Sequence, residues 1–285
     1  MNLLLLGAHM SVAGGLDKAI DRAELVDSNA VQIFTKNQRQ WNAKPLTDEQ
    51  ISVFRERFAQ SESIQCVVAH DSYLINLASP KDDLWEKSIA AFRDELERCE
   101  ALGIPYLVTH PGAHVGSGPE AGRARVVEAL DRIHMDLPGY SVLTLLETTA
   151  GQGTTLGGTF EELSEIRGGL RQPERTGVCL DTCHVFVAGY DIRTPETYAA
   201  TMAQFDATVG IEHLKALHFN DAKADLGSHL DRHDHVGVGL IGADGFRNVM
   251  NDARLAGRPA LLETDKDDDL TEDREAIILL RSLVA

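Results

Sequence analysis

Short apolar runs, each followed by a longer stretch of helical periodicity, recur along the whole chain. Runs at residues 3–7, 30–34, 66–69, 106–109, 142–146, 178–180, 214–219 and 260–262 predict strands. Helices are predicted near residues 15–27, 47–60, 83–102, 120–135, 159–168, 194–209, 243–252 and 272–283. Two of them carry clear start signals, with Thr47 and Thr194 placed to cap helices whose first turns hold acidic residues. Alternation of this kind builds parallel βαβ units, and eight of them fit a single-domain (β/α)8 barrel spanning residues 1–285. A doubly wound open sheet is the alternative on pattern alone. The longest Gly-, His- and Asp-rich loops, at 112–118, 151–158 and 221–242, follow strands, which places them on the catalytic face of a barrel.

Composition narrows the setting. With 285 residues, 43% of them hydrophobic, the chain can bury a large core and is not disordered. No apolar run approaches the roughly 20 residues of a membrane span. The opening run lacks the basic flank of a signal peptide and reads as a strand. Cys66, Cys99, Cys179 and Cys183 are too few for a disulfide scaffold, so reduced thiols and a cytoplasmic location are expected. A net charge of -17 argues against nucleic acid at first sight, since neutralising phosphate supplies much of that affinity. The charge is uneven, however: residues 1–60 hold seven basic and seven acidic residues.

Chemistry enters at the strand ends. Strands three to eight close on or run into His70, His110, Glu147, Asp181, His218 and Glu263. One such residue is ordinarily a loop cap or a satisfied core group. Six in register converge on one mouth of a parallel barrel, and burying them together is costly unless cations neutralise them. His184, three residues after Asp181, and the pair Asp231 and His233 add further ligand types. Five imidazoles with four carboxylates favour zinc over magnesium or calcium. Nine ligands exceed one tetrahedral ion, and with a bridging carboxylate they suit two or three. Cys179 and Cys183 are assigned to packing, and His114, His134, His213, His229 and His235 to loops or solvated faces. His9, just after strand one, stays open, with a place beside the ligands as one reading. The acidic stretch 265–275 reads as a solvated helix start. Lys36, Asn37 and Arg39 form a local basic segment after strand two, and Tyr73 and Leu74 follow His70 closely, either over the metals or as the start of a helix.

Specific stretches carry a family resemblance: Phe34-Thr35-Lys36-Asn37-Gln38-Arg39-Gln40-Trp41, His70-Asp71-Ser72-Tyr73-Leu74-Ile75-Asn76-Leu77, His110-Pro111-Gly112, Leu180-Asp181-Thr182-Cys183-His184, Asp231-Arg232-His233 and Leu262-Glu263-Thr264. With them the sequence resembles endonuclease IV, the zinc-dependent apurinic/apyrimidinic endonucleases of base excision repair. The resemblance implies a xylose-isomerase-like barrel with three Zn2+ ions. One would take His70, His110 and Glu147. A second would share Glu147 and add Asp181, His218 and Glu263, and the third would take His184, Asp231 and His233. It further implies hydrolysis of the phosphodiester 5′ to an abasic site, with Glu147 catalytic, and cleaning of blocked 3′ ends. Lys36, Asn37, Arg39, Tyr73 and Leu74 would meet DNA, with Arg39, Tyr73 and Leu74 inserting at the lesion. The expected partner is double-stranded DNA, met by a monomer. Thr148 and Val238 depart from the family pattern without removing a ligand. A sugar-phosphate isomerase on the same barrel would account for Glu147, Asp181, His218 and Glu263 and leave the other ligands without a task. A non-catalytic lesion-binding protein is a further alternative. Three ions carrying six positive charges would take the formal -17 to -11 and make the mouth locally cationic.

Overall fold

In chain order the strands are β1 (Leu5–His9), β2 (Ala30–Phe34), β3 (Cys66–His70), β4 (Tyr106–Thr109), β5 (Leu143–Glu147), β6 (Thr176–Asp181), β7 (Leu214–His218), β8 (Asp221–Ala222), β9 (His233–Asp234) and β10 (Pro259–Leu262). The helices are α1 (Lys18–Leu25), α2 (Asp48–Gln60), α3 (Asp82–Leu102), α4 (Pro119–Asp136), α5 (Phe160–Gly169), α6 (Thr182–Ala188), α7 (Pro195–Thr208), α8 (Gly242–Met250) and α9 (Thr271–Ser282). They come from a computed structural model that describes residues 4–265, 267 and 269–285. Eight strands close in the order β1-β10-β7-β6-β5-β4-β3-β2, all parallel, which is the (β/α)8 barrel and not the open sheet. Strand β1 extends to His9, beyond the predicted run, and residue 3 lies outside the described residues. At Gly7 the chain comes so close to β2 that a Cβ would lie 1.9 Å from the Ala30 carbonyl oxygen.

Side-chain alternation sorts the strands into two apolar layers. Ala30, Cys66, Val68, Val108, Leu145, Cys179, Ala216 and Leu261 pack together as one cluster inside the barrel. The larger layer lies between strands and helices and includes Phe54, Phe92, Phe160, Phe186, Phe205 and Phe246. Two residues beyond Val68, Val108, Leu145, Cys179, Ala216 and Leu261 stand His70, His110, Glu147, Asp181, His218 and Glu263. The period of two therefore turns all six toward the interior at the C-terminal mouth.

Helix starts follow the expected chemistry: Thr47 with Gln50 and Thr194 with Thr197 form capping boxes. Three short elements, α6, β8 and β9, fall outside the predicted set. Helix α6 is only seven residues and almost entirely buried, so it has no polar face to give it a period. The antiparallel β8–β9 pair is two residues per strand. The stretch at residues 71–74 is irregular and does not start a helix. Two expectations are corrected. His134 is buried on α4, with Nε2 3.5 Å from the Thr144 hydroxyl, and burial pushes its pKa down to about 4. In the acidic stretch, Glu272 and Asp273 do form the first turn of α9, but Asp273 is buried; residues 266 and 268 of that stretch lie outside the described residues. All four cysteines are free and buried. Among the described residues no helix is long and apolar enough to cross a membrane.

Candidate metal centre

Glu147 ends β5 with no solvent exposure, and its two oxygens face different partners. Oε2 lies 3.1 Å from Nε2 of His70 and 3.1 Å from Nε2 of His110. Oε1 lies 2.9 Å from Nδ1 of His218, whose same nitrogen is 3.1 Å from Oε2 of Glu263. Asp181 splits its work: Oδ1 accepts the His184 main-chain N–H at 2.8 Å as the cap of α6, while Oδ2 turns inward, 4.0 Å from His218 Nδ1. Helix α6 thereby sets His184 beside Asp231 at 3.2 Å, and the β8–β9 pair brings His233 Nε2 to 3.3 Å from the same Asp231 oxygen.

Donor atoms within 4.8 Å of one another fall into the groups His70, His110 and Glu147; Glu147, Asp181, His218 and Glu263; and His184, Asp231 and His233. A fourth group joins Cys183 to Asp181 and His233. Burial pushes the Cys183 thiol up, and its sulfur donates to the Arg232 carbonyl at 3.7 Å, so it is a packed thiol rather than a thiolate ligand.

Main-chain carbonyls and one amide orient the rings. Nδ1 of His70 donates to the Asp71 carbonyl at 2.9 Å, and Nδ1 of His184 to the Thr148 carbonyl at 2.8 Å. Gln32 donates to Glu263 at 2.5 Å, which leaves its Oε1 to accept from His218 Nε2 at 2.8 Å. His70, His184 and His218 thus each spend one nitrogen on the scaffold and turn the other toward the cluster. Thr148, despite its departure from the family pattern, holds the Asp181 N–H with its hydroxyl at 2.9 Å. Asn220 donates to Asp181 at 2.6 Å and accepts the Glu263 N–H at 2.9 Å. Sequence reading missed Gln32 and Asn220. Gln32 was recoverable, because it stands two residues beyond inward-facing Ala30, as the ligands stand beyond their apolar neighbours. His9 lies beside the ligands, 3.0 Å from Gln32 and with its ring centroid 4.2 Å from that of Phe34, the two rings tilted by 49°.

Electrostatics fit a cation site. Burial opposes charge on His70, yet the bonded Glu147 carboxylate, with Glu263 and Asp71, lifts its pKa to about 10. At His233 burial is likewise outweighed, by Asp181 and the bonded Asp231, and the pKa rises to about 9. Burial works against the charged form of Glu147 too, but His218 and His110 hold it well below the usual carboxylate range. As folded, imidazole protons balance buried carboxylates; divalent cations at the same nitrogen and oxygen atoms can take over that balance.

The cleft over the cluster is lined by His9, Phe34, Gln38, His110, Asp231 and Thr264 among others. Asn37, Arg39 and Tyr73 are exposed at its rim, Tyr73 by 67%, and Leu74 is half-buried. The Ser72 hydroxyl donates to the Gln38 carbonyl at 2.6 Å and ties the two rim loops together. Lys36 is corrected: its ammonium is buried against α3, 2.6 Å from Asp94 and 3.5 Å from Glu95, and cannot reach DNA. These carboxylates lie 58 and 59 residues away in sequence, so the local basic segment gave no sign of them.

A family model described as xylose isomerase-like TIM barrel matches residues 20–283. The chain is 54% identical over 278 residues to a probable endonuclease 4 of Chloroflexus aggregans, covering 98% of this chain and 97% of that one. It is 51% identical to a probable endonuclease 4 of Trichlorobacter lovleyi, covering 98% and 99%. The crystal structure of endonuclease IV from Thermus thermophilus superposes with a TM-score of 0.85 at 34% identity, covering 98% of each chain. Full-length identity of this order, on the same closed barrel, shows that the chain belongs to the endonuclease IV family of xylose isomerase-like TIM barrels.

Proposed function

We propose that this protein is a DNA-repair endonuclease that hydrolyses the phosphodiester bond 5′ to abasic sites in duplex DNA, leaving 3′-hydroxyl and 5′-deoxyribose phosphate ends. Clearing of blocked 3′ ends belongs to the same reading. The observation that carries it is the buried Glu147, whose two oxygens face separate imidazole groups inside a mouth of nine ligand-type side chains. We assign three Zn2+ ions to it: one to His70, His110 and Glu147, one to Glu147, Asp181, His218 and Glu263, and one to His184, Asp231 and His233. When bound, zinc supplies a water-derived nucleophile at neutral pH and positive charge against the phosphate oxygens. Glu147 spans two of the groups and fixes their separation. Carbonyls of Asp71 and Thr148 and the amide of Gln32 keep His70, His184 and His218 aimed inward. Asn37, Arg39, Tyr73 and Leu74 supply the DNA face, so lesion contact and hydrolysis share one mouth. Residues 1–285 act as one barrel domain, a cytoplasmic monomer on duplex DNA.

A duplex carrying one tetrahydrofuran abasic analogue tests this. Zinc-loaded protein in EDTA without magnesium is expected to nick it 5′ to the lesion, to lose activity on prolonged chelation and to regain it with zinc. Elemental analysis should find near three zincs per chain. No nicking by zinc-loaded protein would overturn the reading, and one or two manganese or magnesium ions would favour a sugar-phosphate isomerase.

Zinc loading should also release protons. His70 and His233 have pKa values raised to about 10 and about 9, so both are protonated at pH 7.5, and each must lose its proton to ligate. Affinity is therefore expected to rise with pH between 7 and 9, and release to fade above about 10. Calorimetric titration of chelated protein in buffers of different ionisation enthalpy measures this. Binding without proton release at pH 7.5 would contradict it.

A further inference from the structure

One helix grips both ends of the rim loop that follows β2. At the near end Lys36 is almost fully enclosed, with 2% of its side chain exposed. Its ammonium donates to Asp94 at 2.6 Å and to the Ala91 carbonyl at 3.2 Å, and Glu95 lies 3.5 Å away. The hydroxyl of neighbouring Thr35 donates to the other Glu95 oxygen at 2.5 Å. At the far end Arg98 bonds Asp94 at 3.1 Å and reaches the Lys44 carbonyl at 2.5 Å. Lys87, also on α3, sits over the Trp41 ring at 4.3 Å. Two turns of α3 thus hold residues 35, 36 and 44, while Asn37, Arg39 and Gln40 between them stay exposed.

A buried ion pair is a poor source of net stability, because desolvation offsets most of the attraction. What it does supply is direction: a buried ammonium must lie against its carboxylates, so the backbone at residue 36 has little freedom. The Ser72 bond to the Gln38 carbonyl carries that constraint to the loop of Tyr73 and Leu74. Resting on the function proposed above, we propose that Lys36, paired with Asp94 and Glu95, is a positioning residue for lesion recognition, acting through Arg39 without touching DNA. A loop ordered beforehand loses less freedom when it binds, so the effect belongs in KM and not in the hydrolytic step.

Steady-state kinetics on an abasic duplex test this with Lys36→Met, with Lys36→Met/Glu95→Gln, which removes both buried charges together and guards against a folding defect, and with each combined with Arg39→Ala. Lys36→Met and the neutralised double variant are expected to raise KM roughly 10-fold with kcat within about two-fold. Zinc content and hydrolysis of bis(4-nitrophenyl) phosphate, which needs no lesion contact, should stay unchanged in both. Added to Arg39→Ala, either change should raise KM no further, because its effect runs through that side chain. Unchanged KM in the Lys36 variants beside a damaged Arg39→Ala would overturn the positioning role alone, as would full additivity or a loss confined to kcat. An undamaged Arg39→Ala would overturn the reading of Arg39 as a DNA contact, and the positioning role with it.

Discussion

Glu147→Gln is expected to lower kcat/KM on abasic duplex at least about 1,000-fold, a loss of about 4 kcal/mol of transition-state stabilisation. The substitution keeps shape and removes chemistry. Each carboxylate oxygen of Glu147 faces nitrogen atoms, at 3.1 Å on one side and 2.9 Å on the other. An amide can accept on one side only, and on the other its NH2 group points at an imidazole. The site also loses its shared negative charge, so two of the three proposed ions are held more weakly. Zinc content should fall below three per chain, with the group of His184, Asp231 and His233 retained best because it does not use Glu147. Elemental analysis beside the nicking assay measures both, and normal cleavage at full zinc occupancy would overturn the role.

Most of this site was legible because a strand has only one simple rule. Inward apolar residues alternate, so Leu145 implies an inward Glu147 and Cys179 an inward Asp181, and eight parallel strands bring all such ends to one mouth. The same rule applied to Ala30 points to Gln32, but a neutral amide carries neither the charge nor the metal-ligand chemistry that marks an imidazole or a carboxylate. Other features depend on partners distant in sequence. Lys36 stands in a run that looks basic and solvated, and only the packing of α3 reveals Asp94 and Glu95 against it. His134 looks like a polar position on an amphipathic helix, yet it faces Thr144 across buried packing. Helix α6 carries no periodic signal because it is short and buried, although its cap, Asp181, is itself one of the candidate ligands. The net charge describes the outer surface, while the proposed recognition of DNA rests on a few groups at the mouth.

Tyr73→Ala/Leu74→Ala is expected to keep zinc and hydrolytic competence while lowering the preference for abasic over intact duplex roughly 100-fold. Tyr73 is 67% exposed, so its ring contributes little to the fold and is free to enter a duplex. Leu74 is half-buried, and its N–H is held by the Ser72 hydroxyl at 3.2 Å, a bond that survives truncation of the side chain. The fold should therefore tolerate both changes. An abasic site leaves a gap in the stack, and filling it with an aromatic and an aliphatic side chain recovers contact that intact duplex offers only after unstacking. Stacking of a base on an aromatic group contributes about 1–3 kcal/mol, which with the leucine matches a discrimination of about two decades. Competition between abasic and undamaged duplexes reads this directly, and hydrolysis of a small phosphodiester checks that the metal chemistry is intact. If the double variant kept its preference with full zinc, selectivity would have to come from the cleft around Gln38 and His9 rather than from insertion at the rim.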